Sequence, residues 1–243
     1  MDSRFSHHSL TIAMVNYKTL YATTRCLSLI NQLVDTSVVN IVVVDNNSAD
    51  ESLKFLKTLN WITLIERKPE CLEQGFIAHG LGLDLAAACH DNDYLLIMHT
   101  DTFIYDLFIL KQMLEKISKI NVAAVGCLEQ VNRSRLSMSW KFLVRVAKYY
   151  ARKSRLKLGL KTRPPRHYTE THIKSFFALW NLRLIKEHKL HFSTDGQNPS
   201  YNMQDILRSK DYTIEIMHPA HIFKYLDHLK AGTKKNKVLT NAR

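Results

Sequence analysis

One short segment, Leu95-Leu96-Ile97-Met98-His99-Thr100-Asp101-Thr102-Phe103, ends an apolar run in a histidine and an aspartate two positions apart. Residues two apart on a strand point the same way, so a buried strand here would deliver His99 and Asp101 together at its C-terminal end. An imidazole and a carboxylate so placed can face a phosphate or hold one divalent cation. Hard oxygen ligands suit Mg²⁺ or Mn²⁺, and the imidazole tilts the choice towards Mn²⁺. Plain turn chemistry is the competing reading, because polar turns commonly punctuate apolar strands. Two further polar stops follow apolar runs: Asn16-Tyr17-Lys18 after residues 10–15, and Asp45-Asn46-Asn47-Ser48 after residues 38–44. If these runs are parallel strands of one open sheet, the three stops line a single crevice at the edge where such sheets bind ligands. A carboxylate there can accept from a base N–H and a ribose hydroxyl, while a cation further along offsets a diphosphate.

The elements that must position these groups are legible as periodicity. Strands are expected over residues 10–15, 38–44, 61–65, 94–98 and 122–127, and helices over 20–33, 50–59, 76–89 and 106–120. Strands alternating with helices of roughly 10–15 residues predict an α/β fold with a mostly parallel, doubly wound sheet and right-handed crossovers. Later, the chain resumes at residues 173–182, with helices near 183–189 and 202–209 and a strand over 212–217.

Length and charge bound the rest. The 243 residues, 46% of them apolar, suffice for one large domain. The net charge of +12 is local: residues 131–169 contain twelve Lys and Arg and no Asp or Glu. Within that window Trp140, Leu143, Val144, Ala147, Tyr150 and Ala151 follow helical spacing, with Lys141, Arg145, Lys148 and Arg152 forming an opposite stripe. Such a helix suits an anionic bilayer surface, nucleic acid, a soluble anionic acceptor, or simple packing on the domain. Cys26, Cys71, Cys89 and Cys127 form no C-x-x-C pair, which argues against a zinc knuckle and fits a reducing compartment. The N-terminus lacks a secretory apolar core, and no run approaches the roughly 20 residues of a membrane span. A cytoplasmic protein, soluble or peripheral at the inner face of the membrane, is expected.

Residues 11–18 (Thr-Ile-Ala-Met-Val-Asn-Tyr-Lys), 41–52 (Ile-Val-Val-Val-Asp-Asn-Asn-Ser-Ala-Asp-Glu-Ser) and 95–102 resemble, in order and spacing, the opening motifs of glycosyltransferase family 2. Residues 74–84, Gln-Gly-Phe-Ile-Ala-His-Gly-Leu-Gly-Leu-Asp, are similar to the family's glycine-bearing loop and helix before its DxD strand. The resemblance implies a GT-A fold, a Rossmann-like sheet flanked by helices with a basic helical insertion and C-terminal acceptor-side elements. By position it implies that Asp45 binds the nucleotide base, that Asn16, Tyr17, Asn47 and Gly75 lie against the nucleotide, and that Asp101 is the second aspartate of DxD. His99 stands where the first aspartate usually is, so the pattern here is H-x-D. The family's base opens a late helix as the aspartate of an acidic pair; Asp205 matches it, with Gln204 in place of the acidic neighbour and Asp195 as the fallback. A late histidine often joins the metal or diphosphate, and His228 is ranked before His221 and His218.

The resulting expectation is a single domain over 1–243. It comprises a nucleotide-sugar-binding half (9–128), an acceptor half (129–230) holding the basic insertion 131–169, and a flexible tail (231–243). The expected activity is inverting transfer of a sugar from a nucleoside diphosphate, UDP foremost, with Mn²⁺ or Mg²⁺. The acceptor would be a glycan or lipid-linked molecule in cell-surface polysaccharide or lipopolysaccharide-type biosynthesis, and no nucleic acid is expected as partner. The alternative is a non-catalytic nucleotide-sugar- or membrane-binding module with a degenerate site, motivated by His99 and Gln204. A sugar-nucleotide pyrophosphorylase is disfavoured because residues 10–25 hold no glycine.

Overall fold

The computed structural model describes residues 9–69, 71, 73, 75–132, 135–165, 167–193 and 198–229. Asp195 and the tail 231–243 lie outside the described residues. In chain order the elements are β1 (Leu10–Asn16), α1 (Leu20–Leu33), β2 (Val39–Asn46), α2 (Glu51–Lys57), β3 (Thr63–Arg67), α3 (Gly75–Cys89), β4 (Tyr94–Met98), β5 (Thr102–Ile104), α4 (Phe108–Ile117), β6 (Val122–Gly126), α5 (Arg135–Lys157), β7 (Phe177–Asn181), α6 (Leu182–Glu187), α7 (Tyr201–Ser209), β8 (Thr213–Ile216), α8 (Pro219–Ile222) and β9 (Leu226–His228). Seven strands form the main sheet in the order β3-β2-β1-β4-β7-β6-β8. β1 pairs in parallel with both β2 and β4, with Asn16 opposite Asp45. The three polar stops therefore do share one edge of the sheet.

Both faces of the sheet are covered, which is why its strands are apolar throughout rather than alternating. Successive residues divide between two cores: Ile12, Met14, Leu96 and Met98 pack with the α1 and α4 side chains Leu27, Ile30, Ile109 and Met113. Ala13, Val15, Leu95 and Ile97 pack with Leu83 and Ala86 of α3 and Met203 and Leu207 of α7. The departure from a fully parallel sheet is β7, antiparallel to β4 and β6. The expected helix 106–120 begins two residues later because Asp106 accepts from the Phe108 N–H at 2.8 Å and stays outside it. β5 and β9 were not foreseen. They are three residues each and pair only with one another in a separate ribbon.

α5 is oriented opposite to the ordinary amphipathic arrangement. Lys141 and Arg145 face the domain, where Lys141 Nζ lies 2.7 Å from Glu129 Oε1 and Arg145 lies 3.6 Å from both Glu129 and Glu170. Leu136, Trp140, Leu143 and Tyr150, which share the other face, are 84, 70, 58 and 55% exposed. Among the described residues, no helix is long and apolar enough to cross a membrane.

Candidate active site

β4 stops at Met98, so His99, Thr100 and Asp101 form a turn rather than the end of a strand. The turn is fixed by the His99 N–H donating to Phe176 O and the Thr102 N–H donating to His99 O, both at 3.0 Å. The strand argument for convergence of His99 and Asp101 is thus corrected: the turn, not a pleat, brings His99 Nδ1 to 3.8 Å from Asp101 Oδ1. The third member arrives from the far end of the chain. β9 pairs antiparallel with β5, placing His228 opposite Thr102, and the Leu229 N–H donates to Asp101 O at 2.9 Å.

His228 is held in one tautomer. Its Nδ1 lies 2.9 Å from the Gln130 carbonyl, which only accepts, so Nδ1 carries the proton and Nε2 carries the lone pair. Among the described residues the buried Nε2 has no hydrogen-bond partner, although it lies 3.2 Å from Asp101 Oδ1. A lone pair set against a carboxylate oxygen with no proton between them is a donor arrangement suited to a cation. A carbonyl orienting the ring from behind is the usual support of a metal-ligating histidine. Ligand atoms of His99, Asp101 and His228 all lie within 4.8 Å of one another. Burial, then the proximity of His79, pushes His99 well below the usual histidine range, against the pull of Asp101. Burial likewise lowers His79 to about 4, and its ring meets His99 edge-on at 5.1 Å. Both rings are therefore neutral at pH 7. The residues present fit a divalent ion.

These groups line a cavity of about 1140 Å³ together with Tyr17, Asn46, Asn47, Arg67 and Gly75. Tyr17, Asn47, Gly75, His99, Asp101 and His228 are thus on its wall. Asn16 and Asp45 are not. Both are essentially inaccessible, and the Asp45 carboxylate is already engaged: Oδ1 accepts from Asn16 Nδ2 at 2.7 Å and Oδ2 from the Ser48 N–H at 2.9 Å. Asn16 also accepts from Thr19 and Thr23 at 3.0 and 2.8 Å. The pair is a buried clamp that sets the loops after β1 and β2. The strained backbone lies where those loops meet the cavity: Lys18, Asn47 and Ala49 have φ of 54, 57 and 49°. Asn46 takes the wall position beside Asp45, donating to Ala78 O at 2.9 Å and accepting from Arg67 at 3.2 Å. Among the described residues, a Cβ on Gly75 would meet nothing within 4 Å.

Gln204 and Asp205 divide their work. Gln204 is buried, accepts from the Ile173 N–H at 2.9 Å and donates to Ile173 O at 3.1 Å. A carboxylate could not make the second bond, which is the physical reason for an amide there. Asp205 has 58% of its side chain exposed and lines neither large cavity. It meets His172 Nε2 at 2.8 Å, and the His172 ring stacks on Tyr201 at 4.5 Å. His221 is occupied elsewhere, 2.5 Å from Gln112 Oε1, and His218 caps α8.

Sequence reasoning assigned no role to His79 or His172. Gly75, Ala78 and His79 stand at i, i+3 and i+4 on α3 and share the cavity wall, a signal present in the spacing. His172 carried no signal, because its meaning depends on Asp205, 33 positions away.

The family profile for glycosyl transferase family 2 matches residues 11–183. Among solved structures, the chain is similar to the mannosyltransferase PcManGT from Pyrobaculum calidifontis in complex with GDP-Man and Mn²⁺ (TM-score 0.60, 15% identity, 87% of this chain and 55% of that one). It is also similar to S. aureus TarS 1–349 (TM-score 0.55, 15% identity, 86% and 58%) and to the same protein in complex with UDP-GlcNAc (0.54, 13%, 86% and 56%). The chain thus spans between 55 and 58% of the length of these proteins, and at this identity the likeness establishes the GT-A fold. No curated protein matches the sequence.

Proposed function

Because the chain belongs to glycosyltransferase family 2, we propose that it transfers a sugar with inversion from a nucleoside diphosphate, UDP foremost, to a glycan or lipid-linked acceptor in cell-surface polysaccharide assembly. The observation that carries this reading is the meeting of His99, Asp101 and His228, with the His228 lone pair set beside the Asp101 carboxylate. The nucleoside would lie against Tyr17, Asn46 and Asn47, with Asp45 and Asn16 holding those loops rather than touching the ligand. His99, Asp101 and His228 would hold the divalent ion, Mn²⁺ before Mg²⁺, which supplies charge neutralisation for the departing diphosphate. The Pyrobaculum protein was captured with Mn²⁺, which supports that choice.

In the single displacement the acceptor oxygen bonds to the anomeric carbon as the bond from that carbon to the phosphate oxygen breaks. The acceptor proton passes to the Asp205–His172 pair, and the nucleoside diphosphate leaves with the electron pair. Division into a donor half (9–128) and an acceptor half (129–230) within one domain fits this arrangement, since His172 and Asp205 fall in the second. The outward apolar face of α5, with Lys153 and Lys157 on the same helix, suits shallow insertion into an anionic bilayer at the inner face of the membrane.

The test is a thermal-shift screen of UDP and GDP with Mn²⁺, Mg²⁺ or chelator, followed by transfer assays with the sugar nucleotide of the base that binds. Stabilisation by a nucleoside diphosphate that needs the ion and is lost in Asp101→Asn is expected. Absence of stabilisation by either nucleotide would sink the reading. Binding with neither hydrolysis nor transfer would select the non-catalytic alternative.

A further inference from the structure

A second cavity, of about 670 Å³, adjoins the first and shares Phe76, Asn198 and Tyr201 with it. Its wall is cationic: Arg145, Lys148 and Arg152 come from successive turns of α5, and the carboxylate in its lining is Glu170. That carboxylate is neutralised, lying 3.6 Å from Arg145 and 2.9 Å from Lys174. Among the described residues Lys148 and Arg152 have no carboxylate within ion-pair distance. Arg152 is half-buried in this wall, and a cationic wall of this kind is stabilised by an anion that completes it. The remaining wall is aromatic. Tyr149 and the stacked pair His172–Tyr201 offer flat faces of the kind that hold sugar rings.

We propose that this cavity is the acceptor subsite and that it takes an acceptor bearing a phosphate or similarly dense anionic group, held by Lys148 and Arg152. The proposal rests on the glycosyl transfer reading and adds the chemistry of the acceptor. The location is consistent with transfer, because His172, which contacts Asp205, forms part of the cavity while Tyr201 faces both cavities. An acceptor hydroxyl near His172 would lie between the anion clamp and the donor. The phosphate could belong to a soluble sugar phosphate or to a lipid-linked one.

The test uses the full chain saturated with UDP and Mn²⁺, so that the donor cavity is filled. Glucose 6-phosphate is titrated by calorimetry against glucose as the neutral control, and vesicles carrying a lipid phosphate monoester against vesicles of neutral lipid. Lys148→Ala/Arg152→Ala is run beside the wild type, with its UDP affinity as the check on folding. The expected result is binding of the phosphorylated probe over glucose, weakened by added salt and reduced about tenfold or more in the double variant, with UDP affinity unchanged. Preference for the soluble probe assigns a soluble acceptor, and preference for the vesicle assigns a lipid-linked one. If the chain does not discriminate phosphorylated probes from neutral ones, or if the double variant binds them as the wild type does, the subsite assignment is overturned while UDP binding still stands. Failure to bind both UDP and GDP instead overturns the underlying reading.

Discussion

Acidification should destabilise the metal-free protein through His79. Its Nε2 is shut away from solvent with no hydrogen-bond partner among the described residues, and burial lowers the ring from 6.5 to about 4. A depressed imidazole contributes its full share of stability above the unfolded value, near pH 6.5, and loses it as pH falls towards 4, because the unfolded chain binds the proton first. At pH 5 the unfolded ring is almost fully protonated and the folded ring about one-tenth so, which makes the cost of this residue about 2 kcal/mol relative to pH 7.5. His99, lowered by burial and by its neighbour His79, titrates in the same direction. The assay is urea denaturation in chelator at pH 7.5 and pH 5, for the wild type and for His79→Gln, whose amide cannot titrate. The variant should lose less stability on acidification by about 2 kcal/mol. Equal losses in the two proteins would show that the His79 proton affinity is not depressed, and with it that the ring beside His99 is not held neutral by burial.

Three further outcomes are expected. Asp205→Asn and His172→Ala should each lower kcat by about 10²–10⁴ while leaving UDP affinity unchanged, checked by transfer kinetics beside calorimetry. Gln204→Glu, which restores an acidic pair on α7, should not raise activity but should cost about 1–3 kcal/mol in chemical denaturation, because the carboxylate is set against Ile173 O. Gly80→Ala should cost a similar amount, about 1–3 kcal/mol, since its Cβ would come within 2.8 Å of Ser193 Cα, a backbone atom that cannot swing aside.

The parts of this molecule that sequence reading recovers are those whose signal is local. Residues 20–33 read as a helix and residues 94–98 as a strand with the observed bounds, because each carries its own periodicity and its own stops. His228 was reachable through the family pattern, although the ribbon that brings it to Asp101 was not: strands of three residues offer no alternation to count. Asp45 shows a subtler limit. Its type and position suggest a ligand contact, but the Asn16 and Ser48 bonds that engage its carboxylate depend on parallel registration of β1 with β2. The orientation of α5 was illegible for a different reason. Periodicity separates an apolar stripe from a basic one but does not say which faces the domain; Glu129 and Glu170, outside the helix, draw the basic stripe inwards.

The β5–β9 ribbon has a consequence for time as well as space. Tyr105 donates to Asp227 at 3.2 Å across 122 positions, and the same ribbon seats His228 beside Asp101. During synthesis, β1, β2 and β4, and then the Phe176 carbonyl that fixes the His99 turn, all emerge before residue 228 exists. A young chain would then own a nucleotide crevice but only two of its three ion ligands. Once complete, the ribbon is also a short element that can open while the seven-stranded sheet stays closed. Ion affinity would then follow the local opening equilibrium of β9 and weaken before the fold does. Amide exchange at Leu226–His228, measured with and without Mn²⁺, would register that opening directly.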